Sequence, residues 1–260
     1  MRVVGLHADV LVCTSAVWQT TCTIVRGPSS VEDGEGAPVE AFVIDAPLLP
    51  DELEALSGVL EHVGWPCTGL LATHGDWDHL LGRLAFPGAA LGCAETTAAR
   101  LTGEPGDAAR ELRAFDERHY LDRPHPLQLG SLQALPAPGR LDIGTGELEL
   151  HAAGGHTAEG MAVWIPWARV LVCGDYLSTV EIPMLAPGGS RSAYRATLER
   201  LRPLVEEADH VVPGHGAVMD GARAAAILRE DLHYLDTGEL PLARRGAEQR
   251  RIDAENRERW

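Results

Sequence analysis

THGDWDH, residues 73–79, sets two histidines and two aspartates within seven positions, directly after the apolar run Gly69–Ala72. A solvated loop of this length would draw on lysine, serine and glutamate. Imidazole and carboxylate groups with one residue or none between them are instead a set of potential metal donors, and a rigid strand end can fix several such donors on one small volume. Three later stretches repeat the arrangement of a polar residue closing a strand-like run with glycine beside it: GGHTAEG around His156, VLVCGDY around Asp175 and VVPGHG around His215. Glycine at such places lets the backbone turn sharply or approach closely.

The remaining sequence frames these four stretches. The runs Val3–Cys13, Thr21–Arg26 and Ala41–Ile44 read as strands, with the glycine, proline and acidic residues of Gly27–Pro38 as a hairpin loop. Pro50-Asp51-Glu52 opens a helix that Leu53, Leu56 and Leu60 carry to Gly64. An alanine-rich, charged segment over about 94–121 reads as helical and separates two β-rich halves. In the second half, strands are expected over Glu147–Ala152, Met161–Ile165, Val170–Cys173 and His210–Val212. Helices are expected over Ser192–Ala208 and from Gly221 to Tyr234, with a helical tail over about 240–260. Strands followed by a helix occur twice, so the expected fold class is α+β: two β-α layers face to face, sheets inside and helices outside, within one domain spanning 1–260.

Composition narrows the partners. The 22 Lys+Arg against 38 Asp+Glu give a formal charge of −16, which repels phosphate backbones and anionic lipid surfaces, so neither nucleic acid nor membrane is expected. A small-molecule substrate is expected instead, and a homo-oligomer is compatible. The one basic stretch, Arg244–Arg259, is interleaved with Glu248, Asp253, Glu255 and Glu258 and reads as a solvated helix face or subunit contact. Five cysteines without CxxC spacing read as reduced, mostly buried thiols. No apolar run approaches a membrane span and the N-terminal stretch lacks an export-signal layout, so a cytoplasmic protein is expected.

Taken together and in this order, HGDWDH, GHT, GD and PGHG over positions 74–216 resemble the metallo-β-lactamase superfamily, and VIDAP with Asp45 fits that family's N-terminal half. The resemblance implies a four-layer αββα sandwich of two mixed β-sheets with outer helices, holding two divalent metal ions at one edge. It implies a first site of His74, Asp76 and His156, a second of Asp78, His79 and His215, and Asp175 bridging both. One residue departs from the family pattern: HxHxDH has become HxDxDH, and Asp76 replaces a neutral imidazole with an anionic oxygen donor. Zinc is the expected ion, while manganese or ferrous iron gains relative to it through Asp76. The HxDxDH form resembles the lactamase-like domain of bacterial DNA-uptake channel proteins, but the acidic charge argues against DNA as the substrate here.

The function so implied is a metal-dependent hydrolase in which a metal-bound hydroxide attacks a small ester, thioester, lactone or phosphodiester, with Asp78 and Asp175 as the catalytic carboxylates. The alternatives are an iron-dependent oxygenase or reductase on the same ligands, and a non-catalytic metal-binding regulatory protein. The segment Tyr176–Arg195, with Arg191, Tyr194 and Arg195, is the expected substrate wall. Asp45 is expected to orient a ligand histidine, Trp77 to pack beneath the motif, Thr157 to shape its turn, Glu159 to be solvated and His151 to be structural. His7, His62, His119, His125, His210 and His233 are expected to lie outside the site.

Overall fold

The computed structural model describes residues 1–28 and 39–260. Beyond Pro28, the loop expected over 27–38 lies outside the described residues. The first sheet runs in chain order through β1 (Arg2–His7), β2 (Val10–Thr14), β3 (Thr21–Arg26), β4 (Ala41–Ile44), β5 (Cys67–Leu71), β6 (Leu91–Ala94) and β7 (Leu132–Leu135). Its first four strands form an antiparallel meander and its last four are parallel. The second sheet contains β8 (Gly139–Ile143), β9 (Gly146–Ala152), β10 (Met161–Ile165), β11 (Val170–Val172) and β12 (His210–Val212), ordered β12-β11-β10-β9-β8. Only the β11–β12 pair there is parallel.

Side-chain alternation explains the layers. Every residue of β10 is buried, because both of its faces are covered. Met161, Val163 and Ile165 meet Val10, Val12, Ile44 and Leu71 between the sheets. Ala162 and Trp164 point the other way, towards α5 (Arg191–Glu207), α6 (Gly221–Thr237) and α7 (Ala247–Glu258). On the opposite side α1 (Pro50–Val63), α3 (Glu95–Gly103) and α4 (Asp107–His119) cover the outer face of the first sheet through Leu53, Leu56, Leu101, Leu112 and Phe115; the single turn α2 (Gly82–Ala85) lies between β5 and β6. The result is the expected α+β sandwich, αββα, with apolar cores under each helical layer and a third between the sheets.

Local chemistry sets the boundaries. Glu52 accepts from the Leu49 amide at 3.2 Å, the Ser15 hydroxyl at 2.6 Å and the Ala16 amide at 2.8 Å, which fixes the start of α1 to the β2–β3 loop. Gly64, at φ 70°, ends that helix. Three expectations are corrected. The run Val3–Cys13 is two strands, turning at Ala8 and Asp9 without any glycine or proline to announce it. The helical segment 94–121 is two helices, broken at Pro105-Gly106, and its first residue, Ala94, belongs to the short strand β6. The basic tail is solvated only in part: Glu248, Arg251 and Arg257 are exposed as expected, but α7 buries Ile252 and Asn256 on its other face, and Arg244 ahead of it is buried. Its Nη1 and Nη2 reach Asp231 at 2.7 Å, Glu230 at 2.9 Å and the carbonyls of Ser178 and Glu181, which is what lets an arginine leave water. Four of the five cysteines are buried and all are free thiols. No helix of the described residues is long and apolar enough to cross a membrane.

Candidate metal centre

The four motif stretches meet at one end of the sandwich. His74, Asp76, Asp78 and His79 follow β5; His156 follows β9, Asp175 follows β11 and His215 follows β12. Asp175 lies between two groups. Its Oδ2 is 3.7 Å from His74 Nε2 and 3.3 Å from His156 Nε2, and Asp76 Oδ2 stands 3.6 and 3.3 Å from the same two nitrogens. Its Oδ1 is 3.2 Å from His79 Nε2 and 3.5 Å from His215 Nε2, with Asp78 Oδ2 at 3.7 and 3.3 Å from those nitrogens. All seven sequence-predicted residues are thus brought together, in the two expected groups.

Each imidazole is held from behind. His79 Nδ1 is 3.0 Å from the buried Asp45 carboxylate, and His156 Nδ1 is 2.8 Å from the Met184 carbonyl. The Thr73 hydroxyl donates to Asp45 Oδ2 at 2.9 Å and so accepts a hydrogen bond from His74 Nδ1 at 3.1 Å. His215 Nδ1 lies 3.3 Å from the Thr20 hydroxyl. With Nδ1 of His74, His79 and His156 assigned as donors outward by these partners, Nε2 is the lone-pair atom that faces the cluster.

The donor set fits divalent cations. Among the described residues, His74 Nε2, His79 Nε2 and Asp175 Oδ1 are buried without any hydrogen-bond partner, an arrangement that is costly unless something binds them. Donors at tetrahedral positions around one ion stand about 3.4 Å apart, given bonds of roughly 2.0–2.1 Å. The observed separations of 3.2–3.7 Å bracket that spacing. Gly214 is required by this closeness: a Cβ there would sit 2.1 Å from Asp175 Oδ1 and 2.9 Å from His79 Cε1.

Charges within the cluster answer one another. Burial alone would raise the carboxyls of Asp76 and Asp175, yet the neighbouring imidazoles of His156 and His74 at the first, and the charges of His215, His79 and His74 around the second, hold both well below the ordinary carboxylate range. Burial opposes a charged imidazole, but Asp175, Asp78 and Asp45 hold the His79 proton well above the ordinary value. Against the same burial, Asp76 and Asp175 push His156 up to about 9. Such imidazoles keep protons until a cation displaces them.

The surroundings depart from expectation in several places. Glu159, expected to be solvated, is buried and accepts from the Gly75 amide at 3.1 Å, the Thr97 hydroxyl and Arg100 Nη1 at 2.8 Å. Arg191 and Arg195 do not line the site: Arg191 bonds the Leu235 and Asp236 carbonyls and stacks on Trp260, and Arg195 pairs with Asp236. Tyr194 is buried and its hydroxyl donates to the Asp175 carbonyl at 2.8 Å, fixing backbone rather than facing solvent. From the expected substrate wall it is Glu181 that reaches Asp175 and His215. Trp77 packs on Phe115 and Trp18, and Thr157 donates to the Glu159 carbonyl across its turn. His151 lies on β9, outside the cluster, as do the other six histidines.

Trp18, Glu181 and Arg100 escaped the sequence reading. Trp18 stands on the β2–β3 loop, 49% exposed, with its ring 6.5 Å from that of His215. It forms an apolar lip beside the cluster. A cavity of about 390 Å³ opens next to Gly75 and Arg100, between α3, α4 and residues 127–132.

The hydroxyacylglutathione hydrolase of Rhodospirillum rubrum is 28% identical over 155 residues, 60% of this chain and 51% of that protein. The hydroxyacylglutathione hydrolase of a Jannaschia species is 26% identical over 168 residues, 65% of this chain and 56% of that protein. The chain therefore spans about half the length of these curated relatives. Among solved structures, the metallo-beta-lactamase DIM-1 superposes with a TM-score of 0.63 at 18% identity, covering 92% of this chain and 97% of that one. A metallo-beta-lactamase from Pontibacter korlensis gives 0.59 at 19%, covering 91% and 99%. These likenesses agree with the αββα layers. The family profile described as the Metallo-beta-lactamase superfamily matches residues 50–215, which include every candidate donor, and the chain belongs to that superfamily.

Proposed function

We propose that this protein is a metal-dependent hydrolase of a small ester, thioester, lactone or phosphodiester, with two divalent cations, zinc first among them, held by His74, Asp76, His156 and Asp175 on one side and by Asp78, His79, His215 and Asp175 on the other. The observation that carries the reading is the Asp175 carboxylate, whose two oxygens each face a different pair of histidine Nε2 atoms. Cations bound there would acidify a water molecule and polarise the substrate's carbonyl or phosphoryl oxygen. The protein's own groups do the rest. Asp175 ties the two halves of the centre together. Asp78 remains a carboxylate at neutral pH: burial would raise it, but His79 and His215 hold it below the ordinary value, so it can orient a water proton by accepting it in a hydrogen bond. Trp18 covers the His215 flank with an apolar surface that excludes water from one side of the reacting groups. The two hydroxyacylglutathione hydrolases favour an acyl group on a small thiol as the first substrate class to assay.

Elemental analysis of protein purified without added metal, followed by a panel of ester, thioester, lactone and phosphodiester substrates with and without chelator, tests this. Metal and hydrolysis are expected to disappear together in His74→Ala and Asp175→Ala. Wild-type metal content in either variant, or turnover that survives removal of the metal, would overturn the reading.

A further inference from the structure

Asp76 is the residue at which this chain leaves the HxHxDH pattern, and its two oxygens do different things. Oδ2 points into the cluster, 3.3 Å from His156 Nε2 and 3.6 Å from His74 Nε2. Oδ1 points out of it, to Arg100 Nη1 at 2.9 Å. That same Nη1 donates to Glu159 Oε1 at 2.8 Å. Glu159 is anchored in turn by the Thr97 hydroxyl from α3 and by the Gly75 amide from the motif itself. The guanidinium is therefore clamped between the motif and a buried carboxylate contributed by the GHTAEG turn. Sequence separation hides the arrangement, since Arg100 and Glu159 are 59 residues apart.

An aspartate in place of histidine changes a donor in two ways. It adds a full negative charge to a site that already holds Asp78 and Asp175, and it offers two oxygens where imidazole offers one nitrogen. Arg100 counters both. A cation in contact with the carboxylate offsets its charge, and occupation of Oδ1 leaves Oδ2 as the single free donor. Resting on the reading of Asp76 as a ligand, we propose that Asp76 and Arg100 act as one unit, a monodentate oxygen donor of reduced charge standing where the family has a neutral imidazole, and that Arg100 is thereby the residue that sets the ion preference of the first site. Arg100 is a positioning residue: it touches the donor rather than the reacting atoms.

The test is a double-substitution cycle read by metal content. Wild-type protein and the variants Arg100→Met, Arg100→Gln, Arg100→Lys, Asp76→His and Asp76→His/Arg100→Met are loaded from an equimolar zinc and manganese mixture, desalted and analysed for both elements. Release of Asp76 to act as a fully charged, two-oxygen donor favours the oxygen-preferring ion. The manganese-to-zinc ratio is therefore expected to rise in Arg100→Met and Arg100→Gln by roughly threefold or more, near the low end of couplings between contacting residues. Arg100→Lys retains the charge and is expected to stay within about twofold of wild type. In the Asp76→His background, Arg100→Met is expected to leave the ratio unchanged, because the partner is gone. An unchanged ratio in both neutral variants, or the same shift in the two backgrounds, overturns the proposal. Wild-type protein that takes up neither ion overturns instead the metal-centre reading beneath it, so the two failures are told apart without any activity measurement.

Discussion

Replacing Asp45 by asparagine should weaken metal binding while leaving the fold in place. Asp45 directly follows β4 at φ 57° and is buried; its Oδ1 accepts from the Thr73 amide at 2.8 Å, and its Oδ2 faces both the Thr73 hydroxyl at 2.9 Å and His79 Nδ1 at 3.0 Å. Asparagine is the same size and tolerates the left-handed conformation, so the backbone strain an alanine would add is avoided. With its oxygen kept on the Thr73 amide, however, its NH₂ group takes the Oδ2 position and meets two donors. The conflict is relieved when His79 gives up its Nδ1 proton and takes one on Nε2, which removes the lone pair that faces Asp175. Loss of an outer partner of a ligating histidine typically weakens metal binding by about 10- to 100-fold. That range corresponds to roughly 1.4–2.7 kcal/mol. His74, linked to the same oxygen through Thr73, places the expectation at the upper end. Competition with a chromophoric chelator gives the affinity, and circular dichroism with thermal melting of the metal-free proteins reports the fold. If Asp45→Asn binds metal within about twofold of wild type, Asp45 does not set the His79 tautomer and the orientation argument fails.

Other substitutions probe the frame around the site. Gly214→Ala is expected to displace Asp175 and abolish metal uptake while lowering stability by about 1–3 kcal/mol, the usual cost of overpacking; elemental analysis and urea unfolding read the two effects separately. Asn256 is buried and bonds Leu185 N at 2.8 Å, the Pro183 carbonyl at 2.7 Å and the Tyr234 hydroxyl at 2.9 Å. Asn256→Ala takes this partner from the Leu185 amide and the Pro183 carbonyl, while the Tyr234 hydroxyl keeps Asp253 at 3.0 Å, and should cost about 2–4 kcal/mol in urea unfolding, from roughly 1–3 kcal/mol for each polar group left unsatisfied. Glu52 governs an acid limb: burial raises its carboxyl, but the Ser15 hydroxyl and the Ala16 and Leu49 amides hold it below 4.5. A carboxyl lowered in the folded state stabilises above its unfolded value and loses that contribution as pH falls through the folded one. Wild-type stability should thus fall below about pH 4.5 more steeply than that of Glu52→Gln, and parallel curves would contradict the assignment.

The parts legible in the sequence share a local signature. The α1 boundaries were marked by Pro50 and Gly64, and each donor closed an apolar run with glycine at hand, so strand end and chemistry could be read together. What could not be read depends on contacts distant in sequence. Arg100 sits in a charged, alanine-rich helix where a solvated arginine looks the same, and only its meeting with Asp76 and Glu159 sets it apart. Arg244 is hidden in the same way, since the basic tail gives no sign of the buried Asp231 on α6 that receives it. Strand β6 is four residues, LGCA, followed directly by helix; a segment that short shows no alternation, and its pairing with β5 and β7 defines it.

Strand direction explains why these particular loops, and not others, build the centre. In the first sheet β4 and β5 are parallel, so Asp45 and the motif leave the sheet at the same edge, which is how a carboxylate ending one strand can orient the histidines after the next. Because β3 is antiparallel to β4, that edge also holds the start of β3 and the end of β2; the loop between them therefore brings Thr20 against His215 and Trp18 beside it. In the second sheet β11 and β12 are parallel and deliver Asp175 and His215 together, pinned by the 2.6 Å bond from the Gly214 amide to the Gly174 carbonyl. Two antiparallel steps, β9 to β10 to β11, turn β9 the same way again and so put His156 at this edge. Every candidate donor thus follows the end of a strand running towards one rim, and the candidates come from both sheets across an interface that is otherwise largely aliphatic. Cations shared by these seven side chains would add directional bonds at that rim and fix the spacing of two layers that dispersion alone would leave free to slide, coupling metal binding to the packing of the sandwich.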